Sequence, residues 1–323
     1  MIGPAKLYRD SAERVADLLA RHAALERQFV RLTPSLWRSP GVGRLFRSVG
    51  YRLIERLRDA GGADREVLVA GTPMRVDITH WMFTELYFTH APYEAATTAY
   101  LKRHLLPGAV FLDIGANGGY FSLLAAARVG PAGRVVAFEP NPRACGELRR
   151  HVALNGFTER VEVCECALSN ASCEGVPLYV PEQDVRSGFA SLQPETPQGR
   201  EYLASASAVP VHTRTLDDWV EGVAIETMDI VKIDVEGAED HVLEGMTRTL
   251  AAGRIGRLVC ETEWDSTMHR RMVASGYVPE VLEEIGPILN IAYCRAERTE
   301  PWRNPTAEAD AGEESRRAAP QRS

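Results

Sequence analysis

The most informative part of this chain is residues 113–121, which read DIGANGGYF. An apolar run, residues 110–112, precedes them, and an apolar segment with helical spacing, residues 121–128, follows them. This pattern predicts a strand, a glycine-rich turn and a helix. In doubly wound α/β folds, ligands bind at the carboxyl ends of the strands beside such a turn. We therefore expect a ligand site at residues 113–121.

Strand and helix patterns alternate through a predicted domain at residues 107–296. Apolar runs typical of buried strands occur at 110–112, 135–138, 161–166, 229–233, 257–260, 277–282 and 288–294. Helical spacing occurs between them at 121–128, 143–154, 240–251 and 266–274. The alternation predicts an α/β fold with a doubly wound, mostly parallel sheet that is covered on both faces. Residues 169–214 interrupt it with two short strands, 176–180 and 209–213, around a polar loop at 184–207.

Residues 1–64 are predicted to form a helical N-terminal extension. Apolar residues at helical spacing indicate two helices, with loops at residues 33–35 and 40–41. The buried face of the first helix is predicted to include Val15, Leu18, Leu19, His22, Leu25 and Phe29. The extension could be a substrate lid, an arm that joins two copies in a homo-oligomer, or only a packed helical layer.

Two further zones flank the predicted domain. Residues 65–106 read as a hairpin that turns at residues 71–73, an aromatic segment, and a helix from residue 93 to residue 106. Residues 297–323 are polar, with few apolar residues to bury, and are predicted to form a disordered tail.

Composition excludes several classes of protein. The chain has 323 residues and a net charge of −7, which argues against a nucleic-acid partner. No apolar run reaches the ~20 residues of a membrane-spanning helix, and no secretory signal is visible at the N-terminus. Six cysteines form no CxxC pair. We therefore expect reduced thiols in a cytoplasmic protein without a membrane or nucleic-acid partner.

The turn at residues 113–121 differs from the fingerprint that binds dinucleotides. That fingerprint, G-x-G-x-x-G, has a glycine where this chain has Asp113, and it holds a pyrophosphate. A carboxylate would repel a pyrophosphate but attract the ammonium and sulfonium of S-adenosylmethionine (SAM). Glu139 ends the second strand, where an acidic side chain can accept hydrogen bonds from ribose hydroxyls. Ala167 and Leu168 follow the third strand, where they would line an adenine ring.

Several motifs occur in an order that resembles the FkbM-type methyltransferase family. They lie at 93–94, 107–108, 111–121, 137–141, 155, 167–169, 215–217 and 232–239, of which the last reads KIDVEGAE. The resemblance implies a class I methyltransferase (Rossmann-like) sheet, SAM as cofactor, and O-methylation of a small molecule such as a sugar or a secondary metabolite. It also implies cofactor contacts by Glu94, Asp113, Gly115, Ala116, Asn117, Gly119, Glu139, Asn141 and Asp234.

Carboxylates at the ends of two strands are the candidate catalytic groups. Asp234 and Glu236 follow the fourth strand, and Glu261 ends the fifth. If strand geometry persists beyond the fourth strand, Asp234 and Glu236 point to the same side. A hydroxyl acceptor needs a general base, for which the candidates are Glu236, Glu261, His212 and Asp265. Asp234 and Glu261 could instead hold a Mg²⁺ that activates the hydroxyl, but a metal-free base is favoured.

Two alternatives come from other functional classes. A nicotinamide-dependent oxidoreductase could use a similar sheet, but Asp113 opposes a pyrophosphate and no Tyr-x-x-x-Lys pair is evident. A non-catalytic protein could retain the SAM-binding fold, but an intact set of cofactor motifs counts against it. The sequence therefore favours a SAM-dependent O-methyltransferase.

Overall fold

A computed structural model describes residues 4–181, 190–194, 206–286 and 288–295. The chain divides into two compact units, with the division at residue 95. The predicted zone boundaries at residues 64, 106 and 296 stay predictions, and the predicted tail lies outside the described residues. None of the helices in the described ranges is long and apolar enough to cross a membrane.

The first unit consists of helices and one hairpin. Its elements are α1 (Pro4–Arg21), α2 (Ala23–Leu36), α3 (Val42–Asp59), β1 (Asp64–Val69), β2 (Thr72–Asp77) and α4 (Trp81–Thr89). Helix α1 packs on α3, and α2 packs on α4. The hairpin turns at Ala70 and Gly71, so the predicted turn at residues 71–73 is one residue late.

The predicted loop at residues 33–35 is wrong, because these residues belong to α2. Pro34 has no N–H to donate to the carbonyl of Val30, as helical geometry would require. The hydroxyl of Thr33 donates to that carbonyl instead, at 2.7 Å, so the helix continues through the proline. The first predicted helix ends at Arg21, and a second begins at Ala23.

The predicted buried face of the first helix is also wrong in part. Val15, Leu18 and Leu25 are exposed, whereas Ala12 and Ala16 are fully buried. Small side chains allow two helices to approach closely, and α1, which carries both alanines, packs on α3. Periodicity alone therefore selected the larger apolar residues rather than the alanines.

The aromatic segment is a helix, α4, which the sequence analysis did not predict. Six of the nine residues of α4 are apolar, and they are not confined to one face, so the helix shows no amphipathic period. The helix that was predicted from residue 93 is α5 (Ala95–His104), which begins and ends two residues inside the predicted range.

The second unit contains the predicted sheet. Its strands are β3 (Val110–Ile114), β4 (Arg134–Phe138), β5 (Val161–Cys164), β9 (Met228–Ile233), β10 (Ile255–Thr262), β11 (Tyr277–Ile285) and β12 (Ile288–Arg295). Their order is β11-β12-β10-β9-β3-β4-β5, and only the pairs that include β12 are antiparallel. The chain leaves β3 towards β4 on one side and returns as β9 on the other. The doubly wound class I methyltransferase sheet is thus confirmed, and its switch point lies between β3 and β9.

Helices cover this sheet, and a smaller sheet branches from it. The helices are α6 (Tyr120–Val129), α7 (Pro142–Leu154), α8 (Leu216–Glu221), α9 (Glu239–Glu244), α10 (Thr247–Ala251) and α11 (Thr267–Ala274). The smaller sheet has the order β6-β8-β7 and consists of β6 (Ala167–Leu168), β7 (Cys173–Pro181) and β8 (Ala206–Arg214). The predicted strand at residues 161–166 therefore ends at Cys164, and the chain enters another sheet. Of the predicted polar loop at 184–207, the structure describes residues 190–194 and 206–207.

One predicted helix, residues 240–251, is two short helices, α9 and α10. At Gly245 the backbone passes so close to Ser169 that a Cβ would lie 2.0 Å from its carbonyl oxygen. The carboxylate of Asp217 then accepts the N–H groups of Arg248 and Thr249, at 2.9 and 2.8 Å, and so caps a new helix. Both contacts come from distant residues, which local periodicity could not reveal.

Candidate active site

The glycine-rich turn and the segment after β9 meet at the switch point of the sheet. The backbone N–H of Asp234 donates to the carbonyl of Ile114 at 3.0 Å. Gly115 has a φ of +84°, and a Cβ on it would lie 1.8 Å from the carbonyl oxygen of Asp234. Only glycine fits this position, because both the backbone angle and the close approach exclude a side chain. The contact joins the two segments that carry the predicted site residues.

Asp113, the residue that argued against a pyrophosphate, is buried at the end of β3 and is 1% exposed. Its Oδ2 accepts a hydrogen bond from the Ser122 hydroxyl at 2.6 Å. Its Oδ1 is buried without a hydrogen-bond partner among the described residues. Burial raises the pKa of this carboxyl, and the nearby Lys232 opposes the increase. A cationic ligand group at Oδ1 would satisfy this oxygen.

Lys232 is a site residue that the sequence analysis did not single out. It is buried in β9, directly opposite Asp113 in the register of β3 and β9. Its Nζ lies 2.8 Å from Oδ2 of Asp234 and 4.4 Å from the centre of the Phe121 ring. A lysine inside an otherwise mostly apolar strand was a usable signal, because an ammonium is seldom buried without a carboxylate partner.

Glu139 lies at the end of β4 and is held by backbone groups on both sides. Its Oε2 accepts the N–H of Asn117 at 2.7 Å, and its Oε1 accepts the N–H of Asn141 at 2.8 Å. Burial raises the pKa of the carboxyl to about 7, against the effect of these two hydrogen bonds. Each oxygen retains a lone pair that could accept from a hydroxyl. The side chain is therefore fixed in place and still able to bind a ribose.

The other predicted cofactor residues have clear positions. Asn117 has a left-handed backbone and accepts the N–H of Gly118 through Oδ1 at 2.8 Å. Asn141 caps α7 by accepting the N–H of Arg143. Three of the predicted cofactor residues, Ala116, Ala167 and Leu168, are apolar and buried. Two more predicted cofactor residues, Gly119 and Glu94, have a positive φ. Gly119 packs against Leu148, and Glu94 belongs to the first unit. Their roles as cofactor contacts stay predictions.

A pocket of about 190 Å³ lies beyond the ends of β9 and β10. All three predicted catalytic carboxylates line it. Among the described residues, the lining consists of Asp234, Glu236, Gly237, Glu239, Asp240, Glu261, Thr262, Glu263, Ser266, Met268 and Ile288. The other two candidate bases are elsewhere: His212 is exposed on β8, and Asp265 is exposed in the segment after β10.

The expected alternation of Asp234 and Glu236 does not hold, because β9 ends at Ile233. Glu236 has a left-handed backbone with φ of +53°, and Gly237 follows with φ of +94°. This turn, rather than a continued strand, directs Glu236 to the pocket. Glu239 stabilises this turn, because its Oε1 accepts the N–H groups of Val235 and Gly237, both at 3.2 Å.

Two carboxylates of the pocket, Asp234 and Glu236, have different electrostatic surroundings. Asp234 forms an ion pair with Lys232. The side chain of Glu236 forms no ion pair with any residue that the structure describes. Burial, followed by the charges of Asp234, Glu261 and Glu239, raises the pKa of Glu236 well above its usual value. The arrangement thus contains one carboxylate that is neutralised by a lysine and one that binds a proton readily. Within the described ranges, no group of three or more His, Cys, Asp or Glu residues could hold a metal ion.

The chain is similar to proteins of one known family. The family described as methyltransferase FkbM domain matches residues 113–283, which is more than half of the chain. Three relatives are similar over part of their length. The AMB antimetabolite synthetase AmbE of Pseudomonas aeruginosa is 33% identical over 49% of this chain and 8% of its own length. The 2-O-methyltransferase NoeI of Sinorhizobium fredii is 29% identical over 46% of this chain and 61% of its own.

The third relative, the methyltransferase sdnD of Sordaria araneosa, is 33% identical over 44% of this chain and 62% of its own length. The chain therefore spans less than two thirds of the length of each of these relatives. The matched region begins at Asp113 and includes the glycine-rich turn, Glu139 and the whole KIDVEGAE segment. This chain belongs to the family of proteins that carry the methyltransferase FkbM domain.

Proposed function

We propose that this protein transfers a methyl group from SAM to a hydroxyl group of a small molecule. The observation that carries the proposal is Asp113, a buried carboxylate with an oxygen that lacks a partner among the described residues. It occupies the turn where a dinucleotide-binding protein would place a glycine against a pyrophosphate. Membership of the methyltransferase family supports the same cofactor.

The residues present fit SAM. Asp113 would face a cationic part of the cofactor, Glu139 would accept from the ribose hydroxyls, and Ala167 and Leu168 would line the adenine. When bound, the cofactor would supply a methyl group on a positively charged sulfur, which makes the methyl carbon electrophilic. The carboxylate of Asp113 favours such a charge, because opposite charges attract strongly in a partly buried site.

Glu236 is the base in this proposal. A methyl acceptor must lose its hydroxyl proton when its oxygen takes the methyl carbon in place of the cofactor's sulfur, and the carboxylate of Glu236 would take that proton. The second product would be S-adenosylhomocysteine. Burial and the neighbouring carboxylates raise the pKa of Glu236, which makes its carboxylate a stronger base than that of an exposed glutamate. Asp234, in its ion pair with Lys232, and Glu261 would shape the remainder of the pocket.

Oxygen as the acceptor atom and a small molecule as the substrate are the finer parts of the proposal. The relative NoeI, which is named a 2-O-methyltransferase, supports oxygen as the acceptor atom. A sugar or a secondary metabolite is the substrate class that the family resemblance implies. A cytoplasmic location is supported by the six free cysteines, which suit a reducing compartment. Homo-oligomer formation through the N-terminal helices remains a prediction.

Binding and turnover test the proposal in two stages. Calorimetry of the purified protein should detect binding of SAM and S-adenosylhomocysteine, and none of NADH. Turnover is then measured with labelled SAM and a set of sugars and hydroxylated metabolites. Binding of NADH without binding of SAM would refute the cofactor assignment, and methylation of amines but not hydroxyls would refute the acceptor.

A matched pair of variants tests the base. Glu236→Gln should bind SAM normally and lose about 10²–10⁴-fold in turnover, the usual contribution of general acid–base catalysis. Glu159→Gln is the control, because Glu159 is an exposed carboxylate before β5 that does not line the pocket, and it should leave turnover unchanged. Loss of activity in EDTA that Mg²⁺ restores would favour metal activation of the hydroxyl and contradict the metal-free base.

A further inference from the structure

Residues 190–194 connect the smaller sheet to the segment that carries Glu236. Ser191 is 2% exposed and pairs with Tyr179 of β7 through two backbone hydrogen bonds, of 3.0 and 3.1 Å. The backbone of Ser191 is therefore anchored without help from its side chain. The hydroxyl group is left to make a contact in another direction.

That contact is with Glu236. The Ser191 hydroxyl donates to the backbone carbonyl of Glu236 at 2.7 Å and accepts the N–H of Gln193 at 3.0 Å. A second connection lies next to it, where Nε2 of Gln193 is 3.1 Å from Nδ1 of His241 in α9. Residues 190–194 thus bind the segment after β9 at two points.

The hydrogen bond from Ser191 completes the restraint of one peptide group. The peptide between Glu236 and Gly237 donates its N–H to Glu239 and presents its carbonyl to Ser191. Both ends of this peptide are held, so its plane cannot rotate freely. Its orientation matters because Glu236 has a left-handed backbone, which is an unfavourable conformation for a residue with a side chain. A rotation of this peptide would redirect the Glu236 carboxyl.

We propose that Ser191 is a positioning residue that fixes the Glu236 carboxyl in the pocket beyond the ends of β9 and β10. Residues 190–194 thereby contribute to the catalytic apparatus as well as to the smaller sheet. This inference rests on the proposed function, in which Glu236 is the base. It concerns a residue outside the pocket lining, and it acts only through the backbone of Glu236.

Three variants separate this role from a general contribution to folding. Ser191→Ala removes the hydroxyl, and Ser191→Cys keeps the size of the side chain but offers only a weak donor. Both should keep the KM for SAM within about twofold and lose about 10- to 100-fold in kcat, the order expected for a misplaced catalytic group. Ser172→Ala is the control. Ser172 directly precedes β7, the strand with which Ser191 pairs, but its hydroxyl donates to Asp218 on the surface. This control should leave kcat unchanged.

A double-mutant cycle gives the decisive measurement. If Ser191 acts through Glu236, Ser191→Ala should have no further effect on kcat in a Glu236→Gln background. An equal loss of kcat in both backgrounds would show a structural role and overturn the inference, as would wild-type kcat in both Ser191 variants. These outcomes leave the proposed function standing, whereas a wild-type protein that neither binds nor uses SAM refutes the proposed function itself.

Discussion

Replacement of Gly115 by alanine tests the close approach at the centre of the site. The new Cβ would lie 1.8 Å from the carbonyl oxygen of Asp234, and real Cβ contacts are essentially never shorter than 3.0 Å. The segment after β9 must therefore move by about 1.2 Å, which is the difference between these distances. Such a shift disturbs the hydrogen bond from Asp234 to Ile114 and the ion pair between Asp234 and Lys232.

A control glycine separates the backbone strain of the substitution from its steric cost. Gly156 also has a positive φ, +64°, but no atom lies within 4 Å of its Cβ position. Alanine at either position incurs about 1–2 kcal/mol of backbone strain, offset by about 0.4–1 kcal/mol from a less flexible unfolded chain. Gly115→Ala adds a steric cost of about 1–3 kcal/mol. We therefore expect about 1 kcal/mol of destabilisation for Gly156→Ala and about 2–4 kcal/mol for Gly115→Ala.

Urea denaturation measures the two losses, provided that the slope of unfolding free energy against urea concentration is the same for all three proteins. Calorimetry with S-adenosylhomocysteine then reports on the site. Gly115→Ala should bind it at least about tenfold more weakly, equivalent to about 1.4 kcal/mol, and Gly156→Ala should bind it normally. Equal destabilisation and equal affinity in both variants would show that the approach of Gly115 to Asp234 does not constrain the site.

Four further predictions follow from three buried polar side chains. Glu139→Gln should weaken SAM binding by about 1.5–3 kcal/mol, as measured by calorimetry, because one acceptor loses its charge. The pKa of Glu139 rises from 4.5 to about 7 on folding, so the folded protein holds this proton more tightly than the unfolded chain. The cofactor-free protein should therefore lose up to about 3 kcal/mol of stability between pH 4.5 and 7. Urea midpoints across this range should fall less in Glu139→Gln, and parallel curves for the two proteins would contradict the assignment. Lys232→Met should cost about 3 kcal/mol at pH 7 because it leaves Asp234 without its cation, and an unchanged urea midpoint would show that the pair is unimportant. Thr33→Val should destabilise the first unit by about 1–3 kcal/mol, because the carbonyls of Val30 and Phe88 lose the single hydroxyl proton that they share. The loss should appear as a lower midpoint of helix loss by circular dichroism, and Thr33→Ser, which keeps the hydroxyl, should retain most of the stability.

Short-range patterns were sufficient for the architecture of the second unit. Alternating apolar strands and amphipathic helices predicted the parallel sheet, because the period of a buried strand and that of a helix are properties of a few neighbouring residues. The same patterns located the carboxyl ends of the strands, and therefore the edge at which Asp113, Glu139, Asp234 and Glu261 lie. They could not show how each side chain is held at that edge.

Contacts between distant residues determined the rest. Pro34 remains helical because Thr33 replaces its missing donor, and one predicted helix divides because Asp217 caps α10. The orientation of Glu236 depends on Ser191, which is separated from it by 45 residues. Lys232 gained its role from the register that places it opposite Asp113. Hydrogen bonds and ion pairs of this kind form only after the chain has folded, so no local period in the sequence records them, and the tertiary structure alone reveals them.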